Sequence, residues 1–337
     1  MVKLTVQLLV WNGEKYLPHL FESLRKQTSK DWQIFILDNG SADNSVSVIK
    51  KELANFSIPN FFEEGESNIG FSPGHNYIYE QTDTEYVLML NQDLYLEPNC
   101  IERLISFMDK NSEVASVSPR LMKWNINSLD HFFSEYVDSL GLKVFKNRRA
   151  VDWYNGQKYE NFLNTNKDKK EIEVFGVSGT LPMFRRSNIN SILYDNKYIF
   201  DPDYSSYKED VDLAYRLRSA GFKSYVVLDT CAYHDRTSDI EITVIDNKKK
   251  QPEHVKYYSY RNHLMTIYKN EYLLNFILDF FWILWYEVGK FIWFLLFDRK
   301  VLKGLGDIWK FRKNLKSRRR QIIKQRKIGW YKIRTWF

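Results

Sequence analysis

The sequence predicts an α/β fold, a Rossmann-like mixed sheet flanked by helices, followed by a helical C-terminal appendage. Over the first hundred residues, short apolar runs of β-prone residues alternate with segments whose apolar residues recur at helical spacing. Polar and acidic residues directly follow several of these runs. After residue 250 the chain becomes strongly aromatic, and it ends in a basic tail. With 337 residues, 44% of them hydrophobic, the chain can bury a large core.

The first four strands are predicted from apolar runs that are bounded by turn residues. Residues 5–10 form the first strand and stop at a Trp-Asn-Gly turn, after which leucine and phenylalanine recur at helical spacing. Residues 32–37 form the second strand, and a helix is expected over residues 45–56. A third strand begins at Phe61, and residues 86–90 form the fourth, buried on both faces. Such alternation implies a largely parallel sheet.

The fourth strand ends in Asn91, Gln92 and Asp93. Ligands of open α/β sheets bind at the carboxyl ends of the strands, and a carboxylate held there can bind a hard divalent cation with diphosphate oxygens. Alternatively, Asp93 only begins a turn. Asp38 and Asp43 follow the second strand at the same edge. Asp43 is also a typical helix-capping residue, whereas Asp38 is better placed to meet a ligand.

A loop rich in glycine and polar residues follows the third strand and leads into a helix. It contains Gly70 and Gly74, and the amides at the start of the following helix can face a phosphate. The Gly-x-Gly-x-x-Gly pattern of nicotinamide-binding folds is absent from the sequence. The glycines alone therefore do not establish a phosphate site.

Taken together, the motifs resemble those of glycosyltransferase family 2 over roughly residues 3–235. The motifs that carry the resemblance are Val10-Trp11-Asn12, Leu37-Asp38-Asn39-Gly40-Ser41-Ala42-Asp43, Asn68-x-Gly70-Phe71-x-x-Gly74-x-Asn76 and Leu90-Asn91-Gln92-Asp93. The resemblance implies a GT-A fold, nucleotide diphosphate sugars as donors, and inversion of the anomeric centre.

Carried over residue by residue, the resemblance implies a nucleotide-sugar site and a metal. The donor would contact Val10, Trp11, Asn12, Asp38, Asn39, Asn68, Gly70, Phe71, Gly74, Asn76, Asn91, Gln92 and Asp93. A divalent cation, Mg²⁺ or Mn²⁺, would be held by Asp93 and His234, the latter following a predicted strand at residues 224–228. Position 91 is Asn where many members have Asp, which would weaken the metal site. Such variants resemble bacterial rhamnosyltransferases of surface polysaccharide (O-antigen) synthesis, so dTDP-rhamnose is the expected donor.

The acids that begin a predicted helix within residues 207–221 suit the helix dipole. The resemblance implies more: Asp210 would be the general base, with Glu209 as its neighbour and a ligand of the acceptor. Residues 174–186 resemble the family's acceptor-side strand and include Ser178, Gly179 and Thr180, although a glycine-kinked strand would look the same. The insertion at about residues 123–172 lacks periodicity and is expected to fold over the acceptor.

The C-terminal part, residues 251–337, is predicted as a unit separate from the GT-A domain of residues 1–250. Within residues 273–297 the polar side chains of Asn275, Asp279, Glu287 and Lys290 share one side of a helix, which is typical of a helix lying in a membrane interface. The alternative is a helix that docks on the catalytic domain or on a second subunit. Homodimerisation is therefore left open.

The net charge of +7 is concentrated in the tail. Twelve lysines and arginines and no acid lie between residues 308 and 337. Beside an apolar helix, this run predicts binding to anionic lipid rather than to nucleic acid. Only two cysteines, far apart, favour a reducing compartment. We therefore expect a peripheral enzyme at the cytoplasmic face of the bacterial inner membrane, with a lipid-linked glycan as its acceptor.

The predicted function is metal-dependent transfer of one sugar at each encounter. The Gln-x-x-Arg-Trp motif of processive family members is absent from the sequence. A nucleotidyltransferase is one alternative, but the glycine- and arginine-rich loop that such an enzyme needs does not follow the first strand. A membrane-bound scaffold with a degenerate sugar site is the other, and Asn91 is the residue that suggests it.

Overall fold

The structure, a computed structural model, describes residues 2–127, 133–236 and 251–337. The strands are β1 (Leu4–Val10), β2 (Trp32–Asp38), β3 (Asn60–Glu64), β4 (Tyr86–Leu90), β5 (Leu94–Leu96), β6 (Val114–Trp124), β7 (Phe133–Ser139), β8 (Leu142–Val144), β9 (Ala150–Asp152), β10 (Glu171–Glu173), β11 (Met183–Arg185) and β12 (Lys223–His234). The helices are α1 (Leu17–Arg25), α2 (Ser45–Leu53), α3 (Phe71–Glu80), α4 (Cys100–Lys110), α5 (Tyr159–Leu163), α6 (Arg186–Asn190), α7 (Glu209–Ser219), α8 (Glu253–Asn270), α9 (Leu273–Leu278), α10 (Phe280–Phe297), α11 (Lys303–Lys310), α12 (Arg312–Gln325) and α13 (Trp330–Arg334), with a 3₁₀ turn at Arg299–Leu302.

One mixed sheet organises the molecule. Its strands lie in the order β10, β12, β6, β11, β4, β1, β2, β3, while β5 pairs with β12 and β7 with β6. The first four strands are parallel, as predicted: β1 pairs with β2 and β4, and β2 pairs with β3. The sheet becomes mixed at β11, which runs antiparallel to both β4 and β6. The α/β fold predicted from the sequence is thus confirmed.

The central strand β4 is buried on both faces. Tyr86, Leu88 and Leu90 pack in one core together with α1, α2 and α4. Val87 and Met89 point to the other face, in a core that includes side chains of α6 and α7. This alternation is what the period of two residues in a strand requires. Helices on both faces therefore leave the ends of the strands as the accessible edges of the sheet.

Three predicted elements have different bounds in the structure. The strand expected over residues 174–186 is only Met183–Arg185, because the backbone before it makes isolated bonds to different strands. Val174 N–H donates to the Ser224 carbonyl of β12 at 2.9 Å, and the Gly176 carbonyl accepts from Leu142 N–H of β8 at 2.8 Å. The helix expected over residues 45–56 ends at Leu53. The helix expected over residues 273–297 is divided at Asp279, whose backbone departs from helical geometry.

The insertion at residues 123–172 connects the sheet to the C-terminal helices. It contains β7, the hairpin of β8 and β9, and α5, with residues 128–132 outside the described part. The loop of the hairpin carries Arg148, which is fully buried. Its guanidinium binds Glu271 at 2.6 Å and Asp279 at 3.0 Å. The insertion is therefore a structural bridge, and its predicted position over the acceptor stays a prediction.

A buried ion cluster joins the C-terminal helices to α7. Lys269 of α8 binds Asp212 of α7, with 2.9 Å between Nζ and Oδ1, and it also binds Asp201. Arg216 pairs with the second oxygen of Asp212 at 3.1 Å, and Arg318 of α12 pairs with Asp201. The boundary predicted at residue 250 falls outside the described residues. The helices on its far side share this cluster with the sheet domain.

Helices α9 and α10 dock through their polar side chains. Asp279 binds Arg148 and Arg334, Asn275 donates to the Trp330 carbonyl at 3.0 Å, and Glu287 lies 2.7 Å from His263. The opposite face is apolar and open, and its exposed side chains include Leu273, Ile277, Phe281, Trp282, Trp285, Leu296 and Phe297. This arrangement is the reverse of an ordinary docked helix, which buries its apolar side.

Replacing Lys269 by Met should destabilise the protein, because two fully buried carboxylates lose a cation that holds them. The expected loss in the free energy of unfolding is about 3–5 kcal/mol, measured by urea denaturation followed by circular dichroism. The control is Lys197→Met, at an exposed lysine whose ion pair with Glu80 lies at the surface. Equal urea midpoints for Lys269→Met and the unchanged protein would contradict this account of the cluster.

Candidate active site

The loops after β1, β2 and β4 meet at one edge of the sheet. The pairing register places Val10 beside Asp38, and Leu8 beside Leu90, so the three strands end at nearly the same height. Asn91 follows β4 at this edge. Because these strands are parallel, their carboxyl ends form the side on which α/β folds bind ligands.

Side chains from the predicted motifs tie these loops together. Trp11 N–H donates to Gln92 Oε1 at 2.9 Å, and Gln92 Nε2 donates back to the Trp11 carbonyl at 3.0 Å. Asn12 Oδ1 accepts from Ala42 N–H at 2.8 Å. Asn39 Nδ2 donates to Asn68 Oδ1 at 3.1 Å. Several polar side chains of the motifs thus hold the loops to one another.

A cavity of about 390 Å³ opens between these loops. Eight of the predicted donor-site residues line it: Trp11, Asn39, Asn68, Gly70, Phe71, Asn91, Gln92 and Asp93. The sequence did not indicate the others that close it, namely Leu9, Ser205, Ser206, Tyr207, His254 and Tyr258. His254 and Tyr258 belong to α8, so the C-terminal helices contribute one wall of the cavity.

Five predicted donor-site residues do not line the cavity. Val10 lies in the core, and Gly74 lets α3 approach Leu9, whose side chain an added Cβ would meet at 2.6 Å. Asn76 is buried and pairs with both backbone groups of Phe200. Asn12 ties two loops together, as described above. Asp38 is also buried: its Oδ2 accepts from Ser41 N–H at 2.9 Å, and no residue of the described chain binds its Oδ1.

A chain of ionic contacts runs from Asp93 toward α7. His234 Nε2 lies 3.3 Å from Asp93 Oδ1, and His234 Nδ1 lies 2.9 Å from Asp138 Oδ2. Arg236 then joins Asp138, at 2.9 Å, to Asp152, at 3.0 Å. Asp138 and Asp152 come from the insertion, where no periodicity marked them. Arg236 was not predicted from the sequence, although it follows the predicted metal ligand His234 by two residues.

His234 is held as a cation by this chain. Burial opposes its charge, but the carboxylates of Asp93 and Asp138 outweigh burial and raise the pKa of His234 to about 10. The pKa of Asp138 is lowered, because Arg236 and His234 together overcome the effect of its burial. The imidazole therefore connects the partly exposed carboxylate at the cavity to a buried carboxylate behind it.

Glu209 and Asp210 begin α7 and have unusual titration properties. Burial, with Asp210 next to it, raises the pKa of Glu209 to about 8. Burial also raises the pKa of Asp210; the Lys208 ammonium opposes this shift and the Asp152 carboxylate adds to it. Asp152 thus links the chain of ionic contacts to Asp210. A carboxylate with a raised pKa is a better proton acceptor than an ordinary one.

Backbone geometry presents Asp210 to the predicted acceptor side. Gly179 N–H donates to Asp210 Oδ2 at 3.1 Å, and the next carbonyl, that of Thr180, accepts from Asn91 N–H at 3.3 Å. Ser178 Oγ lies 3.2 Å from Thr180 Oγ1. Two hydrogen bonds, made by the backbone of Gly179 and Thr180, therefore connect the predicted base with the loop that borders the cavity.

The turn before α7 adopts a conformation that side chains rarely take. Tyr207 has φ +71° and Lys208 has φ +69°, both in the left-handed region. Each such residue costs of order 1–3 kcal/mol, and strain of this kind is common at functional sites. Here it places Tyr207 on the cavity and Lys208 beside the two acids.

Asp93 offers a divalent cation a carboxylate that is partly exposed toward the cavity. His234 Nε2, 3.3 Å from Asp93 Oδ1, would become a second ligand only after the imidazole gives up the proton that Asp93 and Asp138 favour. Across the described ranges, no group of three or more His, Cys, Asp or Glu side chains is arranged to enclose a metal. Two protein ligands with the remaining positions left to diphosphate oxygens would suit Mg²⁺ or Mn²⁺.

A Rossmann-like sheet with a cavity at its carboxyl edge and a pair of buried acids nearby is the arrangement of a glycosyltransferase of the GT-A class. The chain belongs to glycosyl transferase family 2, whose family model matches residues 5–193. Membership favours sugar transfer over the nucleotidyltransferase and scaffold alternatives. The family resemblance expected from the motifs is confirmed.

Three bacterial proteins are similar to parts of this chain, and the chain covers less than half of the length of each. The chain is 27% identical over 93 residues to a teichoic acid poly(glycerol phosphate) polymerase of Staphylococcus epidermidis, covering 28% of this chain and 13% of the relative. It is 26% identical over 115 residues to the poly(ribitol-phosphate) β-N-acetylglucosaminyltransferase TarS of Staphylococcus aureus, covering 33% and 20%. It is 28% identical over 129 residues to an undecaprenyl-phosphate 4-deoxy-4-formamido-L-arabinose transferase of Proteus mirabilis, covering 35% and 37%.

Solved structures show the same fold. GalNAc-T7, solved with UDP, GalNAc and Mn²⁺, has a TM-score of 0.61 at 13% identity, covering 80% of this chain and 48% of that one. TarS of S. aureus, solved with UDP-GlcNAc, has a TM-score of 0.51 at 17% identity, covering 80% and 68%. The predicted GT-A fold is confirmed by these likenesses.

Gly179→Ala should slow sugar transfer, because an added Cβ would lie 3.3 Å from the Asp210 Cβ and displace that side chain. Small displacements of a reacting group reduce turnover by as much as about 100-fold. The measurement is the rate of nucleoside diphosphate release in the presence of acceptor. The control is Gly306→Ala, where an added Cβ meets nothing within 4 Å. Unchanged turnover of Gly179→Ala would contradict the placement of the base.

Proposed function

We propose that the protein is an inverting, non-processive glycosyltransferase that moves one sugar from a nucleotide diphosphate sugar to a hydroxyl of a lipid-linked glycan. The observation that carries this proposal is the placement of Asp210. Its carboxylate accepts from Gly179 N–H, and the carbonyl of the next residue, Thr180, accepts from Asn91 N–H in the loop that lines the cavity. Asp152 connects it electrostatically to the ionic chain that ends at Asp93.

Asp210 acts as the general base. It removes the proton of the acceptor hydroxyl while the hydroxyl oxygen attacks the anomeric carbon, and the bond from that carbon to the diphosphate breaks on the opposite face. The raised pKa of Asp210 suits this role, because a stronger base takes the proton more readily. Glu209, with a pKa of about 8, keeps its proton over much of the neutral range and can donate a hydrogen bond to the acceptor.

The cavity at the sheet edge holds the donor. The ring of Trp11 is 51% exposed and offers a face on which a nucleobase can stack. Asp38 Oδ1, buried and without a partner among the described residues, is available to accept from the nucleoside. The diphosphate would lie toward Asn91 and Asp93. Asp93 would hold a divalent cation, together with His234 once the imidazole has lost its proton. The cation, when bound, offsets the negative charge of the departing diphosphate.

The donor sugar is the least constrained part of the proposal. The Asn-x-Asp form at residue 91 supports dTDP-rhamnose by resemblance, whereas the solved GT-A neighbours contain UDP and UDP-GlcNAc. Donor selection is therefore best determined by a panel of nucleotide sugars, scored by metal-dependent hydrolysis. Rhamnose transfer remains the first candidate in that panel.

The open apolar face of α9 and α10 supports attachment to a membrane. Within the described ranges, α10 is the helix whose length and composition would allow it to cross a membrane, and 11% of it is buried. Its polar residues are occupied in contacts with the rest of the protein, which favours a helix lying in the interface. The basic α12 supplies charge for anionic headgroups. We place the enzyme peripherally at the cytoplasmic face of a bacterial inner membrane.

Asp210→Asn should reduce sugar transfer by about 100-fold or more, because the amide cannot accept the hydroxyl proton. Donor affinity, measured by isothermal titration calorimetry, should stay unchanged. The matched control is Asp83→Asn, at an exposed residue before β4 on the opposite edge of the sheet. Turnover of Asp210→Asn close to that of the unchanged enzyme would refute the assignment of the base.

Asp93→Asn should weaken binding of a nucleoside diphosphate in the presence of Mn²⁺ or Mg²⁺. Loss of a residue that only supports a metal ligand lowers metal affinity by about 10–100-fold. Loss of the ligand itself should lower it by at least as much. In calorimetry with EDTA, the variant and the unchanged protein should bind equally weakly, with Asp83→Asn as the control in both conditions. A cation-independent affinity of the unchanged protein would disprove the metal site.

A further inference from the structure

A second cavity, of about 460 Å³, lies between the sheet domain and α10. Its size is within the range of small-molecule sites. The residues that line it come from the loop before β9, the turn before α7, the start of α8 and the middle of α10. They include four basic residues and two tryptophans, namely Arg149, Lys208, Lys256, Lys290, Trp285 and Trp293.

The charge in this cavity is positive. Four of its lining residues are lysine or arginine, and none is Asp or Glu. Lys256 has Asp298 behind it at 2.6 Å, and Lys290 has Glu287 at 3.7 Å. Neither Arg149 nor Lys208 has a carboxylate within ion-pair distance in the described part of the chain. An anionic group is therefore the ligand that this cavity suits.

One wall of the cavity continues into the apolar face of α10. Trp285 and Trp293 line the cavity, and the Trp285 ring is 85% exposed. The exposed side chains of Phe281 and Trp282 extend the same helix surface. A ligand that fills both regions needs an anionic group joined to a long apolar chain.

The opposite wall lies next to the proposed base. Lys208 lines the cavity and directly precedes Glu209 and Asp210 in the chain. Its ammonium acts on the titration of both acids. Lys208 and Asp210 are two residues apart, so their Cα atoms lie within about 8 Å of each other.

We propose that this cavity binds the phosphate group through which the acceptor glycan is attached to its lipid, with the lipid chain lying along α10. The inference rests on the proposed function, since it names the recognition site of that acceptor. Arg149 and Lys208 bind the phosphate oxygens, and the tryptophans of α10 contact the first carbons of the chain. The sugar hydroxyl then faces Asp210, and the donor cavity lies on the other side of Tyr207.

A soluble phosphate polymer is the competing ligand, because it offers the same oxygens. The apolar wall favours the lipid, since a hydrophilic polymer would leave Trp285 and its neighbours in water. The phosphate is the shared chemistry, and the experiment separates its two sources.

The test measures binding of the full chain to phosphatidylcholine vesicles that contain a long-chain prenyl monophosphate. Vesicles that contain phosphatidylglycerol, matched in surface potential, provide the comparison. The unchanged protein should bind the prenyl phosphate vesicles more tightly. Arg149→Gln and Lys208→Gln should each weaken that binding by about tenfold or more, the effect of losing a hydrogen bond to a charged group. Neither substitution should reduce binding to phosphatidylglycerol to the same extent.

Two further variants separate the cavity from general surface charge. Gly289 lines the cavity, and an added Cβ there meets nothing within 4 Å, so Gly289→Leu is the variant that adds bulk at the cavity wall. It should remove the preference for prenyl phosphate. Gly306→Leu is its control, at another open helical glycine. Lys313→Gln, on the exposed side of α12, should weaken binding to both kinds of vesicle equally.

Equal binding of the unchanged protein to the two kinds of vesicle would overturn the proposal. So would an equal loss on both vesicles for Arg149→Gln. Binding of inorganic phosphate or soluble poly(glycerol phosphate) as tight as binding to the vesicles, and equally dependent on Arg149, would identify a soluble ligand instead and also overturn it. Vesicle binding is measured without a sugar donor and does not depend on sugar transfer. Its failure can therefore be distinguished from a failure of the Asp210→Asn test.

Discussion

The structure depends on a buried lysine that holds two carboxylates. Lys269 belongs to the C-terminal helices, whereas Asp212 and Asp201 belong to the sheet domain. Burial disfavours the charge of Asp212, but Lys269 and Arg216 outweigh burial and lower its pKa. Because Asp212 lies two residues after Asp210, the same contacts that attach α8 also fix the start of α7. The position of the proposed base and the attachment of the C-terminal helices thus have a common origin.

The ionic chain from Asp93 to Asp152 has a similar dual role. The Asp93 carboxylate at the cavity is oriented by the buried His234, which is itself held by the carboxylate of Asp138. Such outer contacts are typical of sites that bind metal ions. The chain continues through Arg236 to the surroundings of Asp210. Donor and acceptor sides are therefore coupled electrostatically across the insertion.

The sequence predicted the part of the site that local patterns determine. Apolar runs locate β1, β2 and β4, and the parallel order of these strands is enough to bring their polar ends to one edge. The sequence did not predict Asp138 or Asp152, because these residues reach the site through the packing of a segment without periodicity. It predicted that the polar residues of α10 share one side of the helix, but not that this side would face the rest of the protein. Periodicity shows which residues share a face, whereas only tertiary contacts show what the face meets.

The outward orientation of the apolar side of α10 has a kinetic consequence. An enzyme confined to a bilayer encounters its acceptor by diffusion in two dimensions. The relevant concentration is then the number of acceptor molecules per unit of lipid area, not per unit of volume. Enlarging the bilayer at a constant amount of acceptor would slow the reaction by surface dilution. The growth of the membrane itself would thus become a variable in the rate of glycan assembly.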